Sequence, residues 1–134
     1  MRENMGLYRG KNVSTGEWVY GYLYIRHDGE CEIGSYNKEY NIERWTTVVD
    51  PSTVGEYTGL TGKNGKRIFE GDVVSALFLY ALPINGVCVF RDGAFGLEWE
   101  RGGAKQFTAF TSMCNVEFEV IGNVHDKPEL KGDC

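Results

Sequence analysis

Proline is scarce in this chain, with 3 in 134 residues against 18 glycines. With 42% hydrophobic residues and no repeat period, that balance excludes collagen and disorder and points to many tight turns. Cysteine is sparse and unpaired in pattern. Cys31, Cys88, Cys114 and Cys134 form no Cys-x-x-Cys, so zinc-finger spacing is absent and no metal is expected. Free thiols fit a reducing compartment. Cys88 lies in Val87-Cys88-Val89-Phe90, where a thiol behaves as a small hydrophobe. No run approaches 18 apolar residues, and Met1-Arg2-Glu3-Asn4-Met5-Gly6 opens no apolar segment. Neither a membrane span nor a signal peptide is expected, and a cytoplasmic protein is the simplest expectation.

A basic face is also missing. The formal net charge is −5, and the acidic excess is spread evenly over the beginning, middle and end of the chain. A duplex-DNA binder needs dense Lys/Arg to displace counterions from phosphate. Only Lys63, Lys66 and Arg67 cluster, and they straddle a turn. Nucleic acid is therefore not the expected partner.

What is present is alternation. In Glu17-Trp18-Val19-Tyr20-Gly21-Tyr22-Leu23-Tyr24-Ile25, the aromatic residues Trp18, Tyr20, Tyr22 and Tyr24 share one strand face. Val19, Leu23 and Ile25 share the other. One apolar face meets a core; the second meets another sheet or another subunit. Tyrosine tolerates exposure because its hydroxyl reaches water. Asp28-Gly29 then turns the chain toward a return strand at Cys31–Tyr36. Residues 37–44 are polar and ambiguous, and 45–49 read as a short strand. Asp50-Pro51 reads as an N-cap followed by proline at the first position of one helical turn.

The densest turn chemistry lies in residues 57–74. Asn64-Gly65 suits a two-residue turn with positive φ, set between runs that favour strands. Gly71-Asp72 leads into an apolar run, Val73–Tyr80, read as a buried strand. Val87–Phe90 and Ala94–Glu100, joined through Asp92-Gly93, form the clearest hairpin. Arg101-Gly102-Gly103 turns again, and Val116–Gly122 is a strand with Glu117 and Glu119 facing outward. Turn signals every 8–12 residues or so predict an all-β fold with one or two short helical turns. Its short antiparallel strands would form a small barrel-like core at 71–134 plus an N-terminal β subdomain at 1–49. Residues 50–70 would be the junction within one 1–134 domain.

Several blocks resemble the YopX family, small proteins encoded by phages and prophages of bacteria. They are Tyr8-Arg9-Gly10-Lys11; residues 16–23 around Trp18-Val19-Tyr20-Gly21; residues 50–60 from Asp50-Pro51-Ser52-Thr53; residues 63–74; and Val120-Ile121-Gly122-Asn123-Val124 with Pro128-Glu129-Leu130. The resemblance spans nearly the full length, and its middle block is specific. Gly62 stands where family members often have Asp, and His125-Asp126-Lys127 replaces a more usual Tyr-Glu-Asn. The resemblance implies a β-rich fold and a mobile-element origin, and it carries over no catalytic residue.

No nucleotide-binding glycine motif or Gly-x-Ser-x-Gly elbow occurs. Residues 59–66 are rich in Gly and Lys, but their spacing is wrong for a phosphate loop and no helix is predicted to follow. Glu70 and Asp72 flank Gly71 and could serve as paired carboxylates for metal-assisted or acid–base chemistry. The simpler role for Asp72 is to bond backbone N–H groups at the turn. A Cys–His pair would need Cys31 or Cys114 beside His27 or His125, and nothing in the sequence brings them together.

The expectation is thus a non-enzymatic, cofactor-free interaction module. It would form a homo-oligomer, take a host or phage protein as partner, and present Trp18, Tyr20, Tyr22 and Tyr24. The alternatives are a single-stranded nucleic-acid binder that stacks bases on aromatics and an enzyme using Glu70 and Asp72 with a metal.

Overall fold

A computed structural model describes residues 7–37 and 42–126. Eleven strands and three single 3-10 turns make up these residues, so the fold is all-β. The chain divides into two compact units, Met1–Tyr57 and Thr58–Cys134.

The first unit contains β1 (Tyr8–Lys11), β2 (Trp18–Ile25), β3 (Cys31–Asn37), β4 (Ile42–Val49) and the start of β5 (Gly55–Thr61). Their order is β4-β3-β2-β1-β5, with antiparallel ladders. β2 works in two halves. Trp18–Gly21 pairs with β1, and Tyr22–Ile25 pairs with β3. The sheet curls until β4 returns to the end of β1. Asn12 and Val49 form an isolated bridge there, the Val13 N–H donates to the Val48 carbonyl at 3.2 Å, and the Asp50 N–H donates to the Lys11 carbonyl at 2.9 Å.

Such tight curvature leaves no room for a side chain at two positions on its concave side, Gly21 and Gly10. A Cβ on Gly21 would overlap the Gly34 backbone carbonyl, and one on Gly10 would meet Val49 at 3.0 Å. Inside the curl, Ile33, Val49 and Cys31 form a core, and Tyr8, Val19, Leu23 and Val54 pack against it. Ile25, expected on this face, is exposed instead. It sits at the mouth of the β2–β3 turn, where the curl ends and nothing overlies it.

The 3-10 turn Pro51–Thr53 is capped as its sequence predicts. The Asp50 carboxylate accepts the Ser52 N–H at 3.0 Å, and Pro51 opens the turn. Buried Thr53 locks it down: its hydroxyl donates to the Asp50 carbonyl at 2.6 Å and accepts the Lys11 N–H at 2.9 Å.

The second unit contains the end of β5, β6 (Arg67–Phe69), β7 (Asp72–Phe78), β8 (Ile84–Arg91), β9 (Ala94–Arg101), β10 (Ala104–Ala109) and β11 (Val116–Asn123). β5 and β6 are neighbours joined through the Asn64-Gly65 turn. Both turn residues have positive φ, 68° and 77°, as that dipeptide tolerates. The same chemistry recurs at Asp92-Gly93, with φ 51° and 83°.

The larger sheet has the order β10-β9-β8-β7-β11. The predicted barrel-like core is this open, five-stranded sheet. Its outer strands β10 and β11 are not hydrogen-bonded to each other, so no closed barrel forms. One face is covered by the Phe110–Ser112 turn and by β6. Ile68, Val74, Ala76, Cys88, Leu97 and Phe110 are buried there, and the Phe110 and Phe118 rings meet edge-to-face at 5.0 Å. A bulge between Val120 and Gly122 in β11 turns Ile121 out to solvent.

The run expected to be buried from Val73 to Tyr80 leaves the core at Phe78. β7's partners end there, at Ala76 opposite Ile84 and Phe78 opposite Val116, so Leu79 and Tyr80 project into solvent.

Candidate interaction surface

The pleat of β2 decides which of its residues face outward. Val19 and Leu23 point into the first core, so Trp18, Tyr20, Tyr22 and Tyr24 must occupy the opposite face. Tyr20, Tyr22 and Tyr24 are 49%, 46% and 40% exposed, in a row along one strand. Trp18 is only half-buried, because the neighbouring strand supplies it with cations. Lys11 lies directly across from Trp18, and Arg9 across from Tyr20. The Arg9 guanidinium carbon is 4.5 Å from the Trp18 ring centre and the Lys11 ammonium 5.4 Å. At these distances the ring quadrupole attracts both charges. Arg9 is itself buried, so its alkyl stem adds packing under the row.

The far end of the row has the opposite charge. Tyr24 pairs with Glu32 across the β2–β3 ladder. Arg26 gathers three carboxylates, Glu32 at 3.0 Å, Glu30 at 3.7 Å and Asp28 at 3.9 Å. A hydrogen bond from Thr46, and then Arg26 itself, hold the Glu32 carboxyl below its ordinary value. The Arg26 guanidinium is raised, first through its hydrogen bond to Glu32 and then by Asp28. One arginine among three acids leaves a net negative cluster. The strip therefore runs from a cationic end at half-buried Lys11, through tyrosines, to an anionic end.

The other candidates fall elsewhere. Asp72 is almost fully buried, and its carboxylate accepts the Phe69 N–H at 2.7 Å across the turn before β7. Backbone bonds brace the same turn: the Gly71 N–H donates to the Cys88 carbonyl, and the Val124 N–H donates to the Gly71 carbonyl, each at 2.9 Å. This is the backbone-bonding role that its turn position suggested. Glu70 is half-buried beside it. Among the described residues, no three His, Cys, Asp or Glu side chains converge as a metal site would require. Lys63, Lys66 and Arg67 are exposed around the Asn64-Gly65 turn, and a strand rather than a helix follows. His27 is exposed in the β2–β3 turn, Cys31 and Cys88 are buried, and Cys114 is exposed. Cys134 lies outside the described residues.

Sequence reading missed Arg9 and Lys11. The signal was available in Tyr8-Arg9-Gly10-Lys11, which alternates as a strand with both cations on one face, but only the ladder register places that face beside Trp18.

The YopX protein family profile matches residues 7–130. The chain belongs to the YopX family. Among solved structures, this YopX-family chain is similar to the protein yopX from Bacillus subtilis. The two share 20% sequence identity, the match covers 97% of this chain and 98% of that one, and the TM-score is 0.60. At that identity the likeness is one of fold. No curated protein matches the chain. Among the described residues of this YopX-family chain, no helix is long and apolar enough to cross a membrane.

Proposed function

We propose that this YopX-family protein is a non-enzymatic binding module whose β2 tyrosine face docks protein. It self-associates, and it takes a host or phage protein as partner in the cytoplasm of a bacterium carrying the phage or prophage. The observation that carries this reading is the row of Tyr20, Tyr22 and Tyr24, each between two-fifths and one-half exposed on a braced strand. Tyrosine gives large contact area at low entropic cost and is enriched in interface cores. The opposite charges at the two ends of the strip suit a two-fold pairing, in which the cationic end of one copy meets the anionic end of the other. Support for binding rather than catalysis comes from Asp72, whose carboxylate is held by the fold.

Light scattering coupled to size exclusion tests this. The wild type should run above monomer mass, and Tyr20→Ser with Tyr22→Ser should lower that mass while leaving the circular-dichroism spectrum unchanged. A wild type and a double variant of identical mass would remove the support for self-association through this face.

A second reading is favoured by the cations beside the aromatics: a single-stranded nucleic acid stacking on the same row. The acidic balance opposes it. Anisotropy with labelled oligo-dT and oligo-rU at low salt decides, and no binding there ends it.

A further inference from the structure

The β7–β8 loop carries a second apolar feature, far along the chain from the tyrosine row. Leu79, Tyr80 and Leu82 are 74%, 94% and 87% exposed, and all three belong to one five-residue connection. Isolated exposed apolar residues need no explanation, but three large ones on a single tip do. The base of that loop opens on a cavity of about 240 Å³. Its walls include Phe78 and Ile84, the residues that immediately bracket the loop, together with Trp99, Met113, Ser112 and Cys114. The Trp99 indole N–H is already used, donating to the Thr108 hydroxyl at 3.0 Å. Leu97 and Trp99 present apolar surface, and the polar groups lie at Thr108, Ser112 and Cys114.

We infer that the Leu79–Leu82 tip of one copy inserts into the Phe78–Trp99–Met113 cavity of a second copy, and reciprocally. Three observations select this occupant. The cavity falls below the roughly 300–1,000 Å³ of sites for cofactors and drug-sized ligands, yet suits one or two side chains. Knob and hole adjoin on the same unit, so a two-fold axis beside the loop satisfies both at once and closes this contact as a pair. Stable interfaces take roughly 800 Å² from each partner. A tyrosine alone brings about 200 Å², and Leu79 and Leu82, each about three-quarters or more exposed, add to it. The Tyr80 hydroxyl would find Ser112 at the rim. This contact does not rest on the tyrosine face of β2.

The test is a thiol trap in the full chain. Leu82→Cys is made in a Cys134→Ser background, leaving Cys114 as the exposed partner thiol among the described cysteines. Mild oxidation should produce a dimer band on non-reducing gels. Peptide mapping of that band should find the thiol introduced at position 82 of one copy bonded to Cys114 of the other. In parallel, Tyr80→Ser with Leu82→Ser should lower the mass seen by light scattering at least two-fold, with Tyr20 and Tyr22 intact. Three results would each overturn the inference: a disulfide from position 82 to Cys114 closed within one chain, an oxidised protein in which those two positions stay unlinked, or a loop variant whose mass matches the wild type. The first would make the loop a lid on its own cavity, and the last would leave association to the β2 face.

Discussion

The guanidinium carbon of Arg9 stands 4.5 Å from the centre of the Trp18 ring, on adjacent strands and one sheet face. This pair joins the buried part of the tyrosine strip to its exposed part, and Trp18 is among the groups that hold the buried Arg9 charge. Trp18→Leu should cost about 1–2 kcal/mol, and Trp18→Phe less, because the indole is the strongest π partner. Urea unfolding of the three proteins measures the order. Equal stability for Trp18→Leu and the wild type would show that the ring contributes nothing to holding Arg9.

Gly21 is where β2 passes from one neighbour to the other. Any side chain there overlaps the Gly34 backbone carbonyl, which cannot move aside as a flexible side chain would. Gly21→Ala should therefore destabilise by about 3 kcal/mol or more, at the upper end of overpacking costs. Gly16→Ala is the comparison: Gly16 has φ 75° and open space around it, so only backbone strain of about 1–2 kcal/mol applies. Denaturant midpoints of the two variants should fall in that order.

Asp72 secures the turn between β6 and β7. Removing its carboxylate strands the buried Phe69 N–H, so Asp72→Ala should cost about 2–3 kcal/mol, while Asp72→Asn, which keeps an acceptor oxygen, should cost less. Thermal-shift screening with divalent cations should leave the wild-type midpoint unmoved. A midpoint that rises with one ion and not in Asp72→Ala would restore the metal-assisted reading of Glu70 and Asp72.

Glu32 gives the anionic end of the strip a pH signature. Its folded pKa lies below the ordinary 4.5. The carboxylate's contribution to stability is thus complete above pH 4.5 and is lost as pH falls through the lowered folded value. Carbon-detected NMR titration should give Glu32 a midpoint below 4.5. Thr46→Val, which removes one hydrogen bond, and Arg26→Gln, which removes a hydrogen bond and a charge, should each move that midpoint up. A midpoint unmoved in both variants would show that neither partner holds the carboxylate.

The turns and the aromatic strand were legible from composition and local order alone. Asn64-Gly65 and Asp92-Gly93 adopt the positive φ that such dipeptides accept, Asp50-Pro51 caps its turn, and Tyr20, Tyr22 and Tyr24 line one side of a strand. Pairing at a distance was not legible. Arg9 belongs beside Trp18 only through the β1–β2 register, and the exposure of Leu79 and Tyr80 depends on where β8 and β11 stop pairing with β7. An apolar run reads the same whether its neighbours extend along it or fall short. Ile25 failed for a related reason: alternation assigns a side of the sheet but cannot say where the covering layer ends.

β11 pairs with β7 across the whole of β8, β9 and β10, whereas every strand from β7 to β9 meets its immediate successor. During synthesis, β7 must therefore wait with one row of backbone groups open until β11 leaves the ribosome. That interval is when a nascent chain is most prone to join the wrong partner. Glu117 and Glu119, carried on the late-arriving strand, bring like charge to that margin as it closes, so neighbouring chains repel one another instead of stacking edge to edge.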